Sequence, residues 1–332
     1  MLWLHAVTFL IGLALLIYLV YFYWDQVKIS VANVGYGFFV IVALNLTRHL
    51  LRSASMYLAI HPDKRIFKYR SAVAARFGGE AVTFFTFTGP FLGDATKAVL
   101  LRNKLPLTHG ASAIILDNLL YYVSVTIVVL SGIATLVYLH ESNSATISNL
   151  LIGIVIVFAL IFAGLVAALG FRIKPISWLF GVLEKLKILP TFVSRREHHL
   201  LEIESNVFDF YDTRRFDFFL IFGISMVVHA VSVLEVYLVL EFLGYEANVP
   251  TAFIIESLTK VINAVFGFIP GTVGVYEGGN GVILKILGYS TGAGVALALI
   301  RRGAILVSTV IGIVILLWRT AEHGAKHLDK ES

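Results

Sequence analysis

Phe268-Ile269-Pro270-Gly271-Thr272-Val273-Gly274-Val275-Tyr276-Glu277 interrupts an apolar region spanning roughly 251–290, with no polar loop at the break. Phe87-Thr88-Gly89-Pro90-Phe91-Leu92-Gly93-Asp94 does the same to a region spanning roughly 71–103. Proline ends the incoming helix, because it lacks an N–H and its ring clashes with the preceding turn, and glycine permits tight reversal. Two apolar helices joined in this way read as a re-entrant helical hairpin rather than one clean span. The tips are Gly89, Pro90 and Gly93 in the first hairpin and Pro270, Gly271 and Gly274 in the second.

Working outward, six long apolar stretches surround the hairpins: 2–24, 34–60, 112–139, 149–171, 218–243 and 293–318. Each is about 20 residues or longer, enough for a hydrocarbon core roughly 30 Å thick. Composition agrees. The 332 residues are 58% hydrophobic and 14% charged, against about 25% charged in a soluble domain, and the mean hydropathy is +0.86. An ordinary soluble enzyme, a disordered chain, a nucleic-acid module and a tethered soluble domain are all excluded. The lack of cysteine removes disulfides, thiolate nucleophiles and cysteine metal sites. The first stretch has no basic n-region and no small-residue cleavage site, so it reads as a span, with Tyr21–Trp24 as an interfacial aromatic belt.

The net charge of +5 resolves into topology. Nineteen of the 26 lysines and arginines lie in 61–76, 97–104, 172–216 and the C-terminal tail, whereas loops 25–33, 140–148, 244–250 and 288–292 hold only Lys28. The positive-inside rule then makes the rich set cytoplasmic, with both termini there. It also requires the first hairpin to enter from the cytoplasm and the second from outside. The basic excess needs no acidic partner. Segment 172–216 reads as an amphipathic connector, with Ile203, Val207, Phe210 and Tyr211 at helical spacing. His198-His199 within it reads as a surface pair rather than a metal site.

Placing Pro90 over Pro270, an offset of 180, sets Arg76 over Glu256, Glu80 over Lys260 and Lys97 over Glu277. Both regions, about 34–139 and 218–318, read span, broken hairpin, span, and each second span follows a Gly-Ala pair (Gly110-Ala111, Gly292-Ala293). With hairpins on opposite faces the repeat is inverted, an arrangement that lets a transporter exchange inward and outward shapes. The expected fold is therefore an all-α, polytopic inner-membrane bundle forming a single domain over 1–332, with two opposed re-entrant hairpins.

Six basic residues remain inside apolar segments (Arg48, Arg52, Lys260, Lys285, Arg301 and Arg302), with seven acidic ones (Glu80, Asp94, Asp117, Glu235, Glu241, Glu256 and Glu277). A charge at a helix centre costs about 2.5–3.5 kcal/mol on insertion scales, so these must face a polar interior, pair, or lie near an interface. Arg48 and Arg52, four apart, share a helix face with Asn45; they either fork onto a phosphate or snorkel to the interface. Arg301-Arg302 is mid-span, so at least one faces inward. The half-helices after the tips turn N-terminal amides inward, which attracts anions. Asp94 and Glu277 beside them are either caps or ion-pair partners of Lys97, Lys260 and the arginines. The candidate substrate-binding set is Arg48, Arg52, Glu80, Asp94, Lys97, Lys260, Glu277, Arg301 and Arg302. The run Gly271–Gly281 lacks the Gly-Lys-Ser/Thr of a P-loop, and no Gly-x-Ser-x-Gly or His-Glu-x-x-His occurs. No cofactor and no metal are expected.

Gly79-Glu80 and Gly93-Asp94 flanking a Gly-Pro, followed by Pro270-Gly271-Thr272-Val273-Gly274-Val275-Tyr276-Glu277-Gly278, resemble the lysylphosphatidylglycerol synthase transmembrane, or flippase-like, family. That family includes the flippase half of the multiple-peptide-resistance factor and hopanoid-associated membrane proteins. The resemblance covers nearly the whole chain and implies lipid movement across the inner membrane. The chain stops soon after its last span, so the soluble aminoacyl-transferase domain of the two-domain synthases is not expected, nor is aminoacyl transfer. Phe87-Thr88-Gly89-Pro90 is less polar than the family's first hairpin often is.

The expected function is that of a non-enzymatic flippase for an anionic, phosphate-bearing lipid head group, with a membrane lipid as partner, no nucleic acid, and homo-oligomerisation left open. The alternative is an integral-membrane lipid glycosyl or polyprenyl transferase, which typically needs paired acids to hold a divalent metal. Asp25 stands alone after the first span, and no Asp-x-Asp occurs. A non-transporting scaffold explains the hydropathy but neither the embedded charges nor the broken hairpins.

Overall fold

A computed structural model describes residues 2–86, 90–139, 145–171 and 197–331. The first hairpin's Phe87, Thr88 and Gly89, and 172–196 of the connector, lie outside the described residues. Among those described, the chain is helical throughout: α1 (Leu2–Phe22), α2 (Trp24–Val34), α3 (Gly37–Ala59), α4 (Tyr69–Phe85), α5 (Pro90–Leu101), α6 (Leu107–Leu139), α7 (Ala145–Gly170), α8 (Glu197–Thr213), α9 (Arg215–Phe242), α10 (Val249–Val265), α11 (Val275–Ile286) and α12 (Thr291–Glu331).

Three helices are long and apolar enough to cross a membrane: Leu107–Leu139, Arg215–Phe242 and Thr291–Arg319. Residues 9–22 and 24–34 add a fourth if taken as one bent span, but the chain turns by 83° between them. The stretch 25–33, expected as a loop, is therefore a helix, leaving the aromatic belt at an elbow where Tyr21 and Trp24 are exposed. Helix α3 has the length of a span but carries Arg48 and Arg52, and the apolar part of α7 that is described is short, 151–164.

Both halves share one local order. A long helix (α3, α9) precedes a broken pair (α4–α5, α10–α11), and another long helix (α6, α12) follows. Glycines set the approach between helices, since small residues let helix backbones meet in lipid. A Cβ on Gly93 would lie 2.7 Å from the Gly79 carbonyl oxygen and collide with Thr83 Oγ1, so α4 and α5 touch backbone to backbone. The second tip runs through a short 3-10 turn, Pro270–Thr272. Gly271 and Gly274 there have φ of +57° and +81°, and Thr272 adopts +49°, a region that favours glycine. A Cβ on Gly271 would lie 3.2 Å from the Phe84 ring, so the second tip abuts the end of α4.

One core cluster joins α3, α6, α9, α10, α11 and α12 through Ile41, Ile133, Leu240, Ile255, Leu284 and Leu297. A second joins Met56, Ala72, Leu101, Leu120 and Ile221 to the connector, whose Val207 and Phe210 are buried as its helical spacing predicts. The polar cluster of the first half lies among these same helices.

Candidate functional site: a polar ring around an internal cavity

Helix α3 carries Arg48 and Arg52, α4 carries Arg76 and Glu80, α5 carries Asp94 and Lys97, and α6 carries Asp117 and Asn118. Seven of these side chains close a ring. Arg52 Nη1 donates to Asp117 Oδ1 at 2.9 Å, and Arg76 Nη1 reaches Asp117 Oδ2 at 3.1 Å. Arg76 Nε faces Glu80 Oε1 at 3.2 Å. Lys97 Nζ donates to Glu80 Oε1 and Asp94 Oδ1, both at 2.9 Å. Asn118 then joins Asp94 to Arg52: its Nδ2 donates to Asp94 Oδ2 at 2.7 Å, and its Oδ1 accepts from Arg52 Nη2 at 3.1 Å. Ser55 Oγ also donates to Asp117, so both oxygens of that fully buried carboxylate are engaged. Three cations and three carboxylates balance.

The ring walls a cavity of about 190 Å³ that His49, Thr83, Tyr121 and Tyr122 complete, with Arg48 at its edge. Exposure decides which groups meet its contents. Side chains of Arg52, Arg76 and Lys97 are 6, 7 and 4% exposed, whereas Glu80 is 30%, Asp94 26% and Arg48 24%. Three cations thus line the cavity with little surface exposed, and one cation with two carboxylates forms the more exposed part of its lining. The Tyr121 ring lies 4.1 Å from the Arg52 guanidinium carbon and also packs on buried His229, whose Nε2 is 2.9 Å from Ser124 Oγ.

The second half builds a chain instead of a ring. Arg301 donates from Nε to Glu235 Oε1 at 2.9 Å and from Nη2 to Glu256 Oε2 at 2.8 Å. Lys260 Nζ donates to Glu256 Oε1 at 2.8 Å, and Arg48 Nη1 closes the other end on Glu235 Oε2 at 2.7 Å. Its centre reverses every charge of the first half. Asp117 on α6 binds Arg52 of α3 and Arg76 of α4, whereas Arg301 on α12 binds Glu235 of α9 and Glu256 of α10. The pairs Arg76–Glu80 and Glu256–Lys260, each four apart, are likewise reversed.

Arg302 belongs to neither cluster. It pairs with Glu277 and donates from Nη1 to the Gly271 carbonyl at 2.9 Å, tying α12 to the second tip. Glu277 accepts from Gly274 N at 2.9 Å, so it is both a cap and an ion-pair partner. Among the described residues Asp94 accepts from Lys97 and Asn118, and so serves the ring.

The cavity therefore gathers Arg48, Arg52, Glu80, Asp94 and Lys97 of the expected set, while Lys260, Glu277, Arg301 and Arg302 do not line it. Two expectations are corrected. Arg48 and Arg52 share a face but hold different carboxylates, so they do not form one fork. Arg76, read as a loop charge that sets topology, is buried in the ring, as is Lys97, which counts among those charges and also stands in the candidate set. Lys285 and Glu241, the other charges of the apolar segments, lie at the protein surface near helix ends, outside both clusters. The sequence reading also passed over Asn118, Tyr121 and Tyr122. It paired Arg76 with Glu256 but missed Arg52–Glu235 and Asp117–Arg301, whose offsets of 183 and 184 escape an ungapped comparison at 180. Among the described residues no group of three or more His, Cys, Asp or Glu is arranged to hold a metal ion.

Comparison with curated proteins finds no match, and comparison with solved structures finds none. A family model does match, over residues 9–312, nearly the full length of the chain. With its helical spans and embedded charges, the chain belongs to the family described as the lysylphosphatidylglycerol synthase TM region.

Proposed function

We propose that this membrane protein moves the head group of a phosphate-bearing lipid across the cytoplasmic membrane, leaving the acyl chains in the bilayer and the lipid covalently unchanged. One observation carries the reading: a charged cavity of about 190 Å³ inside a largely apolar helical protein. Burying that many charges is expensive unless they are paired and satisfied, and a packed scaffold gains nothing from an open polar space among them. Arg48 offers the exposed cationic contact for a phosphate, and Glu80 and Asp94 face any amine on the same head group.

In this reading the two halves form an inverted repeat, and the broken pairs are opposed re-entrant hairpins. The reversed charge clusters and the seating of the second tip against Phe84 support both ideas. The basic face is cytoplasmic, with both termini on it.

The test is translocation of a head-group-labelled phospholipid in liposomes carrying the purified full chain. Asp94→Asn and Lys97→Gln each open the ring, and each is expected to slow translocation by about tenfold or more, as loss of a charge-assisted hydrogen bond allows. Wild-type rates in both variants would refute the proposal.

A further inference from the structure

Both clusters contain a buried guanidinium nitrogen without a hydrogen-bond partner, Arg76 Nε in the ring among them, but only the second leaves two such donors beside one carboxylate. At the first centre both Asp117 oxygens are taken. At the second, Arg301 is 4% exposed, yet its buried Nη1 has no partner, and the buried Nε of Arg48 has none either. Both guanidiniums are held by the same Glu235 carboxylate, one on each oxygen, so the unused donors belong to neighbouring groups. The balance of charge points the same way. Arg48, Lys260 and Arg301 face only Glu235 and Glu256, a surplus of one positive charge. Buried donors without acceptors are rare, and each asks for an explanation. Arg48 also lines the cavity, so one member of this cluster borders the open space.

We infer that Arg48, on the cavity wall, and Arg301, outside its lining, together form a site for a phosphate-type oxyanion. Two unused guanidinium N–H groups and one surplus positive charge match an oxyanion, which accepts several charge-assisted hydrogen bonds. Glu235 holds the two arginines, one on each oxygen, while Arg302 is tied to the second tip. This inference rests on the transport reading for its purpose: the phosphate of a head group in the cavity passes to Arg48 and Arg301. The anion chemistry stands by itself.

The purified full chain in detergent is titrated with inorganic phosphate against chloride at matched ionic strength, with the unfolding midpoint as readout. In parallel, nanodiscs of phosphatidylcholine with or without phosphatidylglycerol are compared. Stabilisation by inorganic phosphate identifies a site open to the free anion. Stabilisation by phosphatidylglycerol alone identifies a site that takes the lipid's phosphate. In either case, half-maximal stabilisation should need about tenfold more anion in Arg48→Gln. Arg301→Lys, which keeps the charge but removes the fork, should behave alike. Should Arg301→Lys fail to fold, Arg48→Gln still decides, because it leaves Glu235 and Glu256 bound to Arg301. No stabilisation of the wild type in either arm, or undiminished stabilisation in Arg48→Gln, overturns the site. Translocation that persists without anion binding sinks this inference alone; anion binding without translocation sinks the transport reading alone.

Discussion

The first half of the molecule closes its charges into a ring and the second half leaves them in a chain. The helices bearing them correspond, and the centres are mirror opposites in sign: a carboxylate between two arginines, and an arginine between two carboxylates. The outer members make the difference. In the first half Lys97 and Asn118 bring α5 and α6 together around Asp94, and the ring encloses open space. In the second half the carboxylate of the shorter broken-pair helix, Glu277, turns away to Arg302 and the tip backbone, so nothing closes the circuit. A closed circuit of buried charges fixes a wall; an open one retains a cation able to exchange partners. Arg48, reaching from α3 to Glu235 on α9, joins the two.

Removing a centre separates these regions most sharply. Asp117→Asn takes from buried Arg52 its carboxylate and from Arg76 one of two, and is expected to cost about 3–5 kcal/mol, the usual penalty for breaking a buried pair. Glu256→Gln takes from Lys260 its carboxylate but leaves Arg301 on Glu235, and should cost less, about 1–3 kcal/mol. Unfolding midpoints of the purified variants check the order; equal losses would mean that ring and chain are not different devices.

Backbone contact comes next. Gly93→Ala drives a methyl group into Thr83 and the Gly79 carbonyl. The separation of α4 and α5 that this forces should cost about 1–3 kcal/mol, the range for overpacking a tight site. Gly271→Ala meets Phe84 at 3.2 Å but also a φ of +57°, for which an added Cβ costs roughly 1–2 kcal/mol. A thermal scan in which Gly93→Ala is harmless would show that the first broken pair does not depend on this contact.

The smallest effect belongs to charges outside both clusters. Lys285→Gln alters an exposed residue near the end of α11 and should stay within about 0.5 kcal/mol of wild type. A larger loss in the same scan would mean that the ring and the chain do not hold all the embedded charge that matters.

The broken pairs were legible in the sequence because their cause is local: a proline and nearby glycines within an apolar run specify the break without reference to the rest of the chain. The burial of Arg301 was legible too, since a mid-span arginine has nowhere else to go. The ring was not. Asp117 meets Arg52 and Arg76 across 65 and 41 residues of chain, and no spacing encodes that meeting. Arg76 looked like a topology signal because it lies at the edge of an apolar run beside further basic residues, and only packing shows it inside. The pairing of Arg48 with Glu235 likewise depends on how α3 and α9 pack, which helical periodicity leaves open.

Photocrosslinking tests the cavity most directly. A phospholipid with a photoreactive group on its head is reconstituted with the wild-type full chain, and the modified residues are mapped by mass spectrometry. Adducts on Thr83, Tyr121 or Tyr122, competed away by unlabelled phospholipid and lost in Asp94→Asn, are expected. Adducts confined to outward-facing residues such as Tyr18 and Leu160, with none in the cavity, would show that no head group enters it.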